Sequence, residues 1–243
     1  MSIYSNSFAN YYDLLMGDYS LLLNAIHTLI THYAPKRKQL RILELGCGTG
    51  TILKTFPKSY KLYGLDIAKD MITIAKQKVP HATFVVGDMT NFSLPQKFDV
   101  ILCVFDSINH LTHFAQWKKV LRLAARHLSK GGVFIFDINT PKRLNTLTTF
   151  PPYVKKLNKT TLAVEKLTMK KKNLYALQIA ILENINSATP NIFEEIVEEA
   201  AFTKEKVTNE ITKHFVLEKM FDPFRKYVTK NTGRIFFTCR KIL

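Results

Sequence analysis

Three glycines stand at alternate positions directly after an apolar run, in the segment ILELGCGTG (42–50). Glycine reaches positive φ at little steric cost and lets the backbone approach a ligand closely, so such a turn can surround a negatively charged group. The glycines are Gly46, Gly48 and Gly50, and Thr51 stands where the dinucleotide fingerprint G-x-G-x-x-G has its third glycine. A wider turn of this kind suits an amino-acid carboxylate better than a pyrophosphate. A nicotinamide dehydrogenase is therefore the least favoured class.

Two acidic residues follow the turn at positions that suit a nucleoside. Asp66 comes twenty residues after Gly46 and closes an apolar run, and a carboxylate at this separation can accept both hydroxyls of a ribose. Asp88 closes the next run, where it can accept a hydrogen bond from the exocyclic amine of adenine, and Met89 beside it can pack on the ring. Acidic groups also suit a ligand that carries a sulfonium and an ammonium. Together these features indicate S-adenosylmethionine rather than NAD.

Two further residues in and beside the glycine turn have less specific roles. Glu44 lies two residues before the turn, and it either holds the turn or accepts a hydrogen bond from the ammonium of the ligand; the sequence leaves both open. Cys47 lies between two of the glycines, and we expect it to be a small packing residue rather than a nucleophile.

The elements that must position these residues alternate along the chain. Continuously apolar runs of strand length predict strands, and longer amphipathic runs between them predict helices. Short connections and apolar strands are typical of a parallel sheet covered by helices on both faces, with ligands bound beyond the carboxyl ends of the strands. The predicted strands are 41–46, 61–66, 82–88, 98–106 and 133–139, and the predicted helices are 19–33, 68–78 and 113–128, the last ended by Gly131-Gly132.

The last hundred residues have a different pattern. Segments 159–169 and 173–184 predict two paired strands around a turn rich in lysine (170–172). The segment 192–202 fits either a helix or a strand, and its Ile, Phe and Val slightly favour a strand. The remaining predicted elements are a helix from a Thr203 cap to about His214 and two closing strands, 214–222 and 233–242.

Five segments resemble, in order, the motifs of class I S-adenosylmethionine-dependent methyltransferases: ILELGCGTG, YGLDIAKDM, VVGDMTNF, FDVILCVFDSINHL and LSKGGVFIFDINT. Within that superfamily, FANYYDLLMGD (8–18) resembles a bacterial subgroup akin to glycine and amino-sugar N-methyltransferases. The resemblance implies an α/β fold, a Rossmann-like doubly wound sheet of seven strands with the last strand antiparallel. It also implies one methyltransferase domain over 1–243, divided into a helical N-terminal segment (1–38), a cofactor-binding core (39–140), an inserted antiparallel β region that covers the substrate (151–202) and a closing helix with strands (203–243).

The same resemblance implies roles for individual residues. Tyr12 would lie over the cofactor near the sulfonium, and Phe105, Asp106 and Ser107 would line its methionine end. For assistance to the chemistry, the candidates are Tyr12 and His110, with His113 as a further histidine after the fourth strand. The residues expected to contact S-adenosylmethionine are Tyr12, Glu44, Gly46, Cys47, Gly48, Gly50, Asp66, Ile67, Met71, Asp88, Met89 and Phe105.

Composition limits the partners. The 243 residues carry 35 Lys and Arg against 19 Asp and Glu, a formal net charge of +16, but the basic residues are spread along the chain. A small-molecule acceptor, methylated at N or O, is therefore favoured; an RNA or tRNA methyltransferase and a non-catalytic cofactor-binding module remain alternatives. The three cysteines lack metal-ligand spacing, and no secretory signal or membrane-length apolar run is evident. We expect a metal-free cytoplasmic protein whose acceptor, pathway and oligomeric state the sequence does not fix.

Overall fold

The computed structural model describes residues 6–225 and 227–242. The strands are β1 (Arg41–Leu45), β2 (Lys61–Asp66), β3 (Thr83–Val86), β4 (Phe98–Cys103), β5 (Leu128–Asn139), β6 (Tyr153–Lys156), β7 (Thr161–Lys171), β8 (Leu174–Glu183), β9 (Asn191–Ala200), β10 (Phe215–Phe221) and β11 (Arg234–Lys241). The helices are α1 (Asn6–Met16), α2 (Ser20–Tyr33), α3 (Lys69–Lys78), α4 (Phe114–His127), α5 (Pro141–Thr148) and α6 (Lys204–Ile211). No helix within the described ranges is long and apolar enough to cross a bilayer.

Seven strands form the main sheet, in the order β10-β11-β5-β4-β1-β2-β3. Strands β1 to β5 are parallel to one another, and β11 runs antiparallel to both β5 and β10. The doubly wound α/β sheet with its last strand antiparallel is thereby confirmed. The order reverses between β1 and β4, which makes the carboxyl ends of these strands the switch point where such sheets bind ligands.

Helices cover both faces of this sheet, as its apolar strands require. Successive residues of one strand enter different cores because side chains alternate across a strand: Ile42 packs in one cluster and Leu43 in the other. Helices α4 and α6 supply buried residues to the cluster around Leu43, and α2 and α3 supply them to the cluster around Ile42. Every residue of β4 is buried; its one charged residue, Asp99, accepts hydrogen bonds from the Arg41 N–H and the Ser129 hydroxyl.

The second sheet is antiparallel, with the order β6-β7-β8-β9. Strands β7 and β8 pair as predicted, and β9 shows that the ambiguous segment 192–202 is mainly a strand. This sheet packs on α1 and α3 through a third apolar cluster, which includes Phe8, Met71 and Ile179. A fourth cluster joins it to α5 through Leu144 and Tyr175. Helices α1 and α5 therefore both contact the second sheet.

The ends of several predicted elements differ from the structure. Strand β4 ends at Cys103, before the predicted end at 106, because Phe105 and Asp106 have positive φ values of 57° and 53°. The prediction that Gly131-Gly132 ends the helix before a strand at 133 is wrong: α4 ends at His127 and β5 begins at the next residue. Gly131 lies inside β5 with φ +73°, beside a register shift in the pairing of β4 with β5.

Three elements in the later part of the chain were mispredicted in extent or missed. The helix after the Thr203 cap ends at Ile211 rather than near His214. Helix α5 and strand β6 were not predicted. The start of α5 nevertheless carries ordinary signals, since the Thr140 side chain accepts a hydrogen bond from the Arg143 backbone N–H (3.3 Å) and Pro141 occupies the first helical position.

Candidate active site

The glycine turn has the conformation that its sequence predicts. Gly46, Gly48 and Gly50 have φ values of +70°, +49° and +75°, which L side chains rarely adopt. A Cβ atom on Gly46 would lie 2.8 Å from the Cβ of Ser107, and one on Gly48 would lie 3.6 Å from the Tyr12 ring. Any side chain at Gly46 would therefore collide with Ser107, in the turn that follows β4.

A cavity of about 680 Å³ lies beside this turn, at the ends of β1, β2 and β4. We name it the strand-end cavity. Ile67 lines it and is 50% exposed, so this side chain offers apolar surface that a bound ligand would cover. The residues that line the strand-end cavity are Tyr12, Gly46, Gly48, Leu65, Asp66, Ile67, Met71, Gly87, Asp88, Met89, Phe105, Ser107, His110 and Leu111.

A second, smaller cavity of about 360 Å³ lies on the other side of the turn. We name it the glycine-turn cavity. Glu44 and Cys47 line it, together with Tyr19, which the sequence did not indicate. Of the residues expected to contact the cofactor, only Gly50 lies outside both cavities. A Cβ on Gly50 would lie 3.2 Å from the Cβ of Ala75, so this glycine allows the turn to pack on α3.

Two buried polar atoms in the glycine-turn cavity have no hydrogen-bond partner among the described residues: Oε2 of Glu44 and the hydroxyl of Tyr19. Burial raises the pKa of Glu44 well above its usual value, and the charge of Asp66 raises it further. Buried polar groups are normally hydrogen-bonded. A carboxylate oxygen and a hydroxyl are suitable partners for the ammonium and carboxylate of an amino acid, so these atoms fit the methionine end of S-adenosylmethionine.

Asp66 has a structural role in addition to its place in the strand-end cavity. Its Oδ2 accepts a hydrogen bond from the Gly48 N–H (2.8 Å), and its Oδ1 accepts one from the Ala68 N–H (2.9 Å). Burial raises the pKa of Asp66 in spite of these two donors. A carboxylate has about four acceptor sites, so Asp66 can hold the turn and still accept bonds from a diol.

Asp88 and Thr90 form a tight turn at the rim of the strand-end cavity. The Asp88 carboxylate accepts hydrogen bonds from the Thr90 N–H (2.7 Å) and the Thr90 hydroxyl (2.8 Å). Asp88 itself is exposed. Its carboxylate is thus held in place while one side stays open to a ligand.

Helix α1 is attached to the glycine turn by a polar network. Asp13 accepts hydrogen bonds from the hydroxyls of Thr49 (2.6 Å) and Thr51 (2.9 Å) and forms an ion pair with Lys78. Thr51, the residue that breaks the dinucleotide fingerprint, therefore connects the turn to the N-terminal helix. The network holds α1 where its Tyr12 ring lies over Gly48.

A buried ionic cluster holds the strained end of β4. The backbone N–H of Asp106 donates to both carboxylate oxygens of Asp137, at 3.2 and 3.3 Å. Arg234 pairs with the carboxylates of Asp106 and Asp137 and donates to the side-chain oxygen of Asn139 (3.3 Å). Burial raises the pKa of Asp137 to about 6, although Arg234 opposes the shift. Consecutive non-glycine residues at positive φ cost energy, and this cluster fixes them.

A third cavity, of about 1240 Å³, lies on the far side of the β4 turn and reaches the second sheet. We name it the inter-sheet cavity. Glu199 lies in it and accepts one long hydrogen bond from the Asn139 side chain (3.4 Å). Burial raises the pKa of Glu199, the charge of Asp106 raises it further, and His110 of the strand-end cavity opposes the shift. The residues that line the inter-sheet cavity are Met16, Asp106, Asn139, Arg143, Leu144, Leu147, Phe150, Pro151, Pro152, Tyr153, Glu165, Leu167, Leu177, Glu199 and Arg234.

The structure separates the two candidate histidines. His110 lines the strand-end cavity, as expected of a residue after the fourth strand. His113 instead caps α4: its backbone N–H donates to the Gln116 side chain (3.1 Å) in a capping box. Asp106, expected at the methionine end of the cofactor, instead lines the inter-sheet cavity, because its carboxylate pairs with Arg234. The other charged residues of this cavity were missed because they come from distant segments with no shared sequence signal: Arg143, Glu165, Glu199 and Arg234.

Comparison with known proteins agrees with this geometry. Residues 42–132 match the family model described as a methyltransferase domain. The dTDP-3-amino-3,6-dideoxy-alpha-D-glucopyranose N,N-dimethyltransferase of Streptomyces fradiae is 33% identical over 139 residues, 55% of this chain and 54% of the relative. The malonyl-[acyl-carrier protein] O-methyltransferase of Bacillus cereus is 32% identical over 140 residues, 54% of this chain and 49% of the relative.

The fold extends further than the sequence similarity. The crystal structure of an S-adenosylmethionine-dependent methyltransferase from Clostridium acetobutylicum superposes with a TM-score of 0.83 at 23% identity, covering 97% of this chain and 98% of that one. The chain spans about half the length of the curated relatives it matches. Residues 42–132 are thus similar in sequence to a methyltransferase domain, and the chain resembles class I S-adenosylmethionine-dependent methyltransferases, including the amino-sugar N-methyltransferases among them.

Proposed function

We propose that this protein transfers a methyl group from S-adenosylmethionine to an amine nitrogen of a small molecule. The observation that carries the choice of nitrogen is Glu199, a buried carboxylate with a single long hydrogen bond in the inter-sheet cavity. An amine enters such a site as an ammonium that donates to the carboxylate. The named activity of the Streptomyces fradiae relative, N,N-dimethylation of an amino sugar, supports the same class of acceptor.

In this proposal the cofactor occupies the strand-end and glycine-turn cavities. Glu44 and Tyr19 would hold its amino-acid end, Asp66 its ribose and Asp88 its adenine amine. When bound, S-adenosylmethionine supplies an electrophilic methyl group on a sulfonium. Tyr12, held over Gly48 by the Asp13 network, would close the site against water.

The acceptor side has to bind and align a nucleophile. Holding a nucleophile in line with the methyl group can supply up to about 7–11 kcal/mol of the barrier. The bound ammonium must lose a proton before its nitrogen can attack, so Glu199 would position the amine and receive that proton. His110, which is within electrostatic reach of Glu199, is a second candidate for this proton transfer.

Methylation of a carboxylate is the second candidate activity. Arg143 lines the inter-sheet cavity and forms no ion pair with any described carboxylate, so it could hold an acidic acceptor. The Bacillus cereus relative is named as an O-methyltransferase of a malonyl group. Alkali separates the two candidates, because methyl esters hydrolyse in base and N-methyl amines do not.

The proposed location is the cytoplasm. Cys47, Cys103 and Cys239 are free and buried, which fits a reducing compartment.

The proposal is tested by binding and turnover with the full chain. S-adenosylhomocysteine should raise the thermal midpoint and release heat in a calorimetric titration. Methyl transfer from labelled S-adenosylmethionine should then be measured with panels of amino sugars, amino acids, carboxylic acids and tRNA. Alkali-stable label on an amine supports the proposal. Alkali-labile label would support the second candidate, label on tRNA would indicate the nucleic-acid alternative, and binding without turnover in any panel would favour a non-catalytic module.

A further inference from the structure

Among the described residues, three charged side chains of the inter-sheet cavity are poorly hydrogen-bonded: Arg143, Glu199 and Glu165. Glu165 is less buried than Glu199 and lies within electrostatic reach of Lys155, so the pair of interest is Arg143 and Glu199. Arg143 forms no side-chain hydrogen bond and no ion pair with any residue in 6–225 or 227–242, and its Nε is buried without a partner. Within the described part of the chain, Glu199 accepts only the long bond from Asn139. Arg143 and Glu199 lie in one cavity and attract each other electrostatically, but no hydrogen bond or ion pair joins them there, so each can bond to a ligand.

Arg234 lies in the same cavity but, unlike Arg143, is paired with protein groups. Its guanidinium bonds to Asp106, Asp137 and Asn139, so the fold itself uses its donors. Burial lowers the pKa of Arg143, and the positive charge of Arg234 lowers it further, while the carboxylates of Asp106, Glu199 and Asp137 oppose the shift. The guanidinium still remains charged at neutral pH.

A half-buried, unpaired guanidinium is an unfavourable arrangement unless something else pairs with it. Its planar array of donors matches the two oxygens of a carboxylate or phosphate. Arg143 lies in the first turn of α5, which Thr140 caps. A regular helix therefore holds the Arg143 side chain at the cavity. The cavity of about 1240 Å³ is large enough for a small molecule that reaches both charged groups.

We propose that the acceptor is zwitterionic: its amine binds at Glu199, and an oxyanion of the same molecule, a carboxylate or a phosphate, binds at Arg143. This inference rests on the proposed function, because it names the class of amine that the same site takes. It predicts that an amine without an oxyanion binds more weakly than an amine of similar size that carries a carboxylate or a phosphate.

Three probes with one carbon skeleton test the proposal: glucosamine, glucosaminic acid and glucosamine 6-phosphate. Each is titrated calorimetrically into the full chain saturated with S-adenosylhomocysteine. We expect at least one anionic probe to bind about tenfold or more tightly than glucosamine, and Arg143→Gln to remove most of that preference. Arg143→Lys should retain part of it. The matched control is Lys142→Gln, which removes the same charge from the neighbouring, exposed position of α5 and should change nothing. The better of the two anionic probes identifies the oxyanion.

A second measurement does not depend on the choice of acceptor. Phenylglyoxal modification, mapped by peptide mass spectrometry, reports the accessibility of each arginine. With S-adenosylhomocysteine bound, acetate or inorganic phosphate should protect Arg143 and leave the exposed Arg122 equally reactive. The proposal is overturned if neither anion protects Arg143, or if Arg143→Gln leaves the ratio of anionic to neutral binding unchanged. Loss of S-adenosylhomocysteine binding in the parent protein would instead defeat the proposed function itself.

Discussion

The cofactor cavities and the inter-sheet cavity are built in different ways. The strand-end and glycine-turn cavities are formed mainly by strand ends and backbone turns between residues 44 and 111, with α1 and Tyr19 closing them. The inter-sheet cavity brings together charged side chains from remote segments, such as Asp106 and Arg234, which are 128 residues apart. The first design combines main-chain shape with carboxylates that lie beside the turn, such as Glu44 and Asp66, and the second depends on charged side chains brought together from remote segments. Substitutions that remove a charge should therefore change stability or acceptor choice in the inter-sheet cavity. In the strand-end and glycine-turn cavities they should change cofactor affinity.

The largest expected effect separates the two arginines of the inter-sheet cavity. Arg234→Met should lower the free energy of unfolding by about 3–5 kcal/mol, because it leaves Asp106 and Asp137 buried without a cation. Arg143→Met should change it by less than about 1 kcal/mol, because no protein group loses a partner. Urea denaturation of both variants measures the difference. Equal losses would mean that Arg143 is as structural as Arg234.

Asp66→Ala should have the next largest effect, on the cofactor side. The substitution removes the acceptor proposed for the ribose and the partner of the Gly48 N–H, so affinity for S-adenosylhomocysteine should fall about 100-fold or more. Asp70→Ala is the matched control, since it removes the same charge from the first turn of α3 outside both cavities. Calorimetric titration of both variants gives the ratio. A parent-like Asp66→Ala would remove the proposed ribose site.

Glu44→Gln should affect binding and stability in opposite directions. Affinity for S-adenosylhomocysteine should fall about tenfold, because a charge-assisted bond to the ligand ammonium is lost. The thermal midpoint of the ligand-free protein should stay constant or rise, because a buried carboxylate with an unpartnered oxygen is removed. A loss of stability together with unchanged affinity would assign Glu44 to the turn instead.

Glu44 should also contribute to the pH dependence of stability and of ligand affinity in the parent protein. Because the pKa of Glu44 is raised in the folded state, its contribution to stability is fully present below the ordinary Glu pKa and is lost as the pH rises through the raised value. Affinity for the ligand should show the opposite trend and increase with pH over that window. Titrations in a pH series should give a weaker slope for Glu44→Gln.

The smallest of these effects concerns the attachment of α1. Asp13→Ala removes the bonds to Thr49, Thr51 and Lys78, and we expect a loss in cofactor affinity of about three- to tenfold, since each partly buried bond contributes about 1 kcal/mol or less. Asp18→Ala, just beyond the end of the same helix and bonded only to Ser20, is the control. A loss as large as that of Asp66→Ala would mean that α1 forms the site rather than covers it.

The sequence signals for the cofactor half are local, and all the residues they indicate except Gly50 and Asp106 line the strand-end or the glycine-turn cavity. Gly46 and Gly48 have positive φ, and a side chain at Gly46 would also collide with Ser107. Asp66 is indicated by its place at the end of β2. The prediction for Gly50 did not anticipate its packing on Ala75, which depends on where α3 lies. The acceptor half could not be predicted in the same way. Whether Arg143 is paired depends on residues about ninety positions later, and its helix was missed.

Helix α1 is a wall of both the cofactor and the acceptor regions. Tyr12 faces the strand-end and glycine-turn cavities, and Met16, one helical turn later, lines the inter-sheet cavity. The helix is bonded on one side to the glycine turn and on the other to the second sheet, through Tyr11 with Glu183 and Lys155 with the Leu15 carbonyl. A helix shared in this way makes the two sites thermodynamically linked, so each ligand should bind more tightly when the other is present, by the same factor. Titration of each ligand in the presence and absence of the other should therefore return one and the same coupling factor.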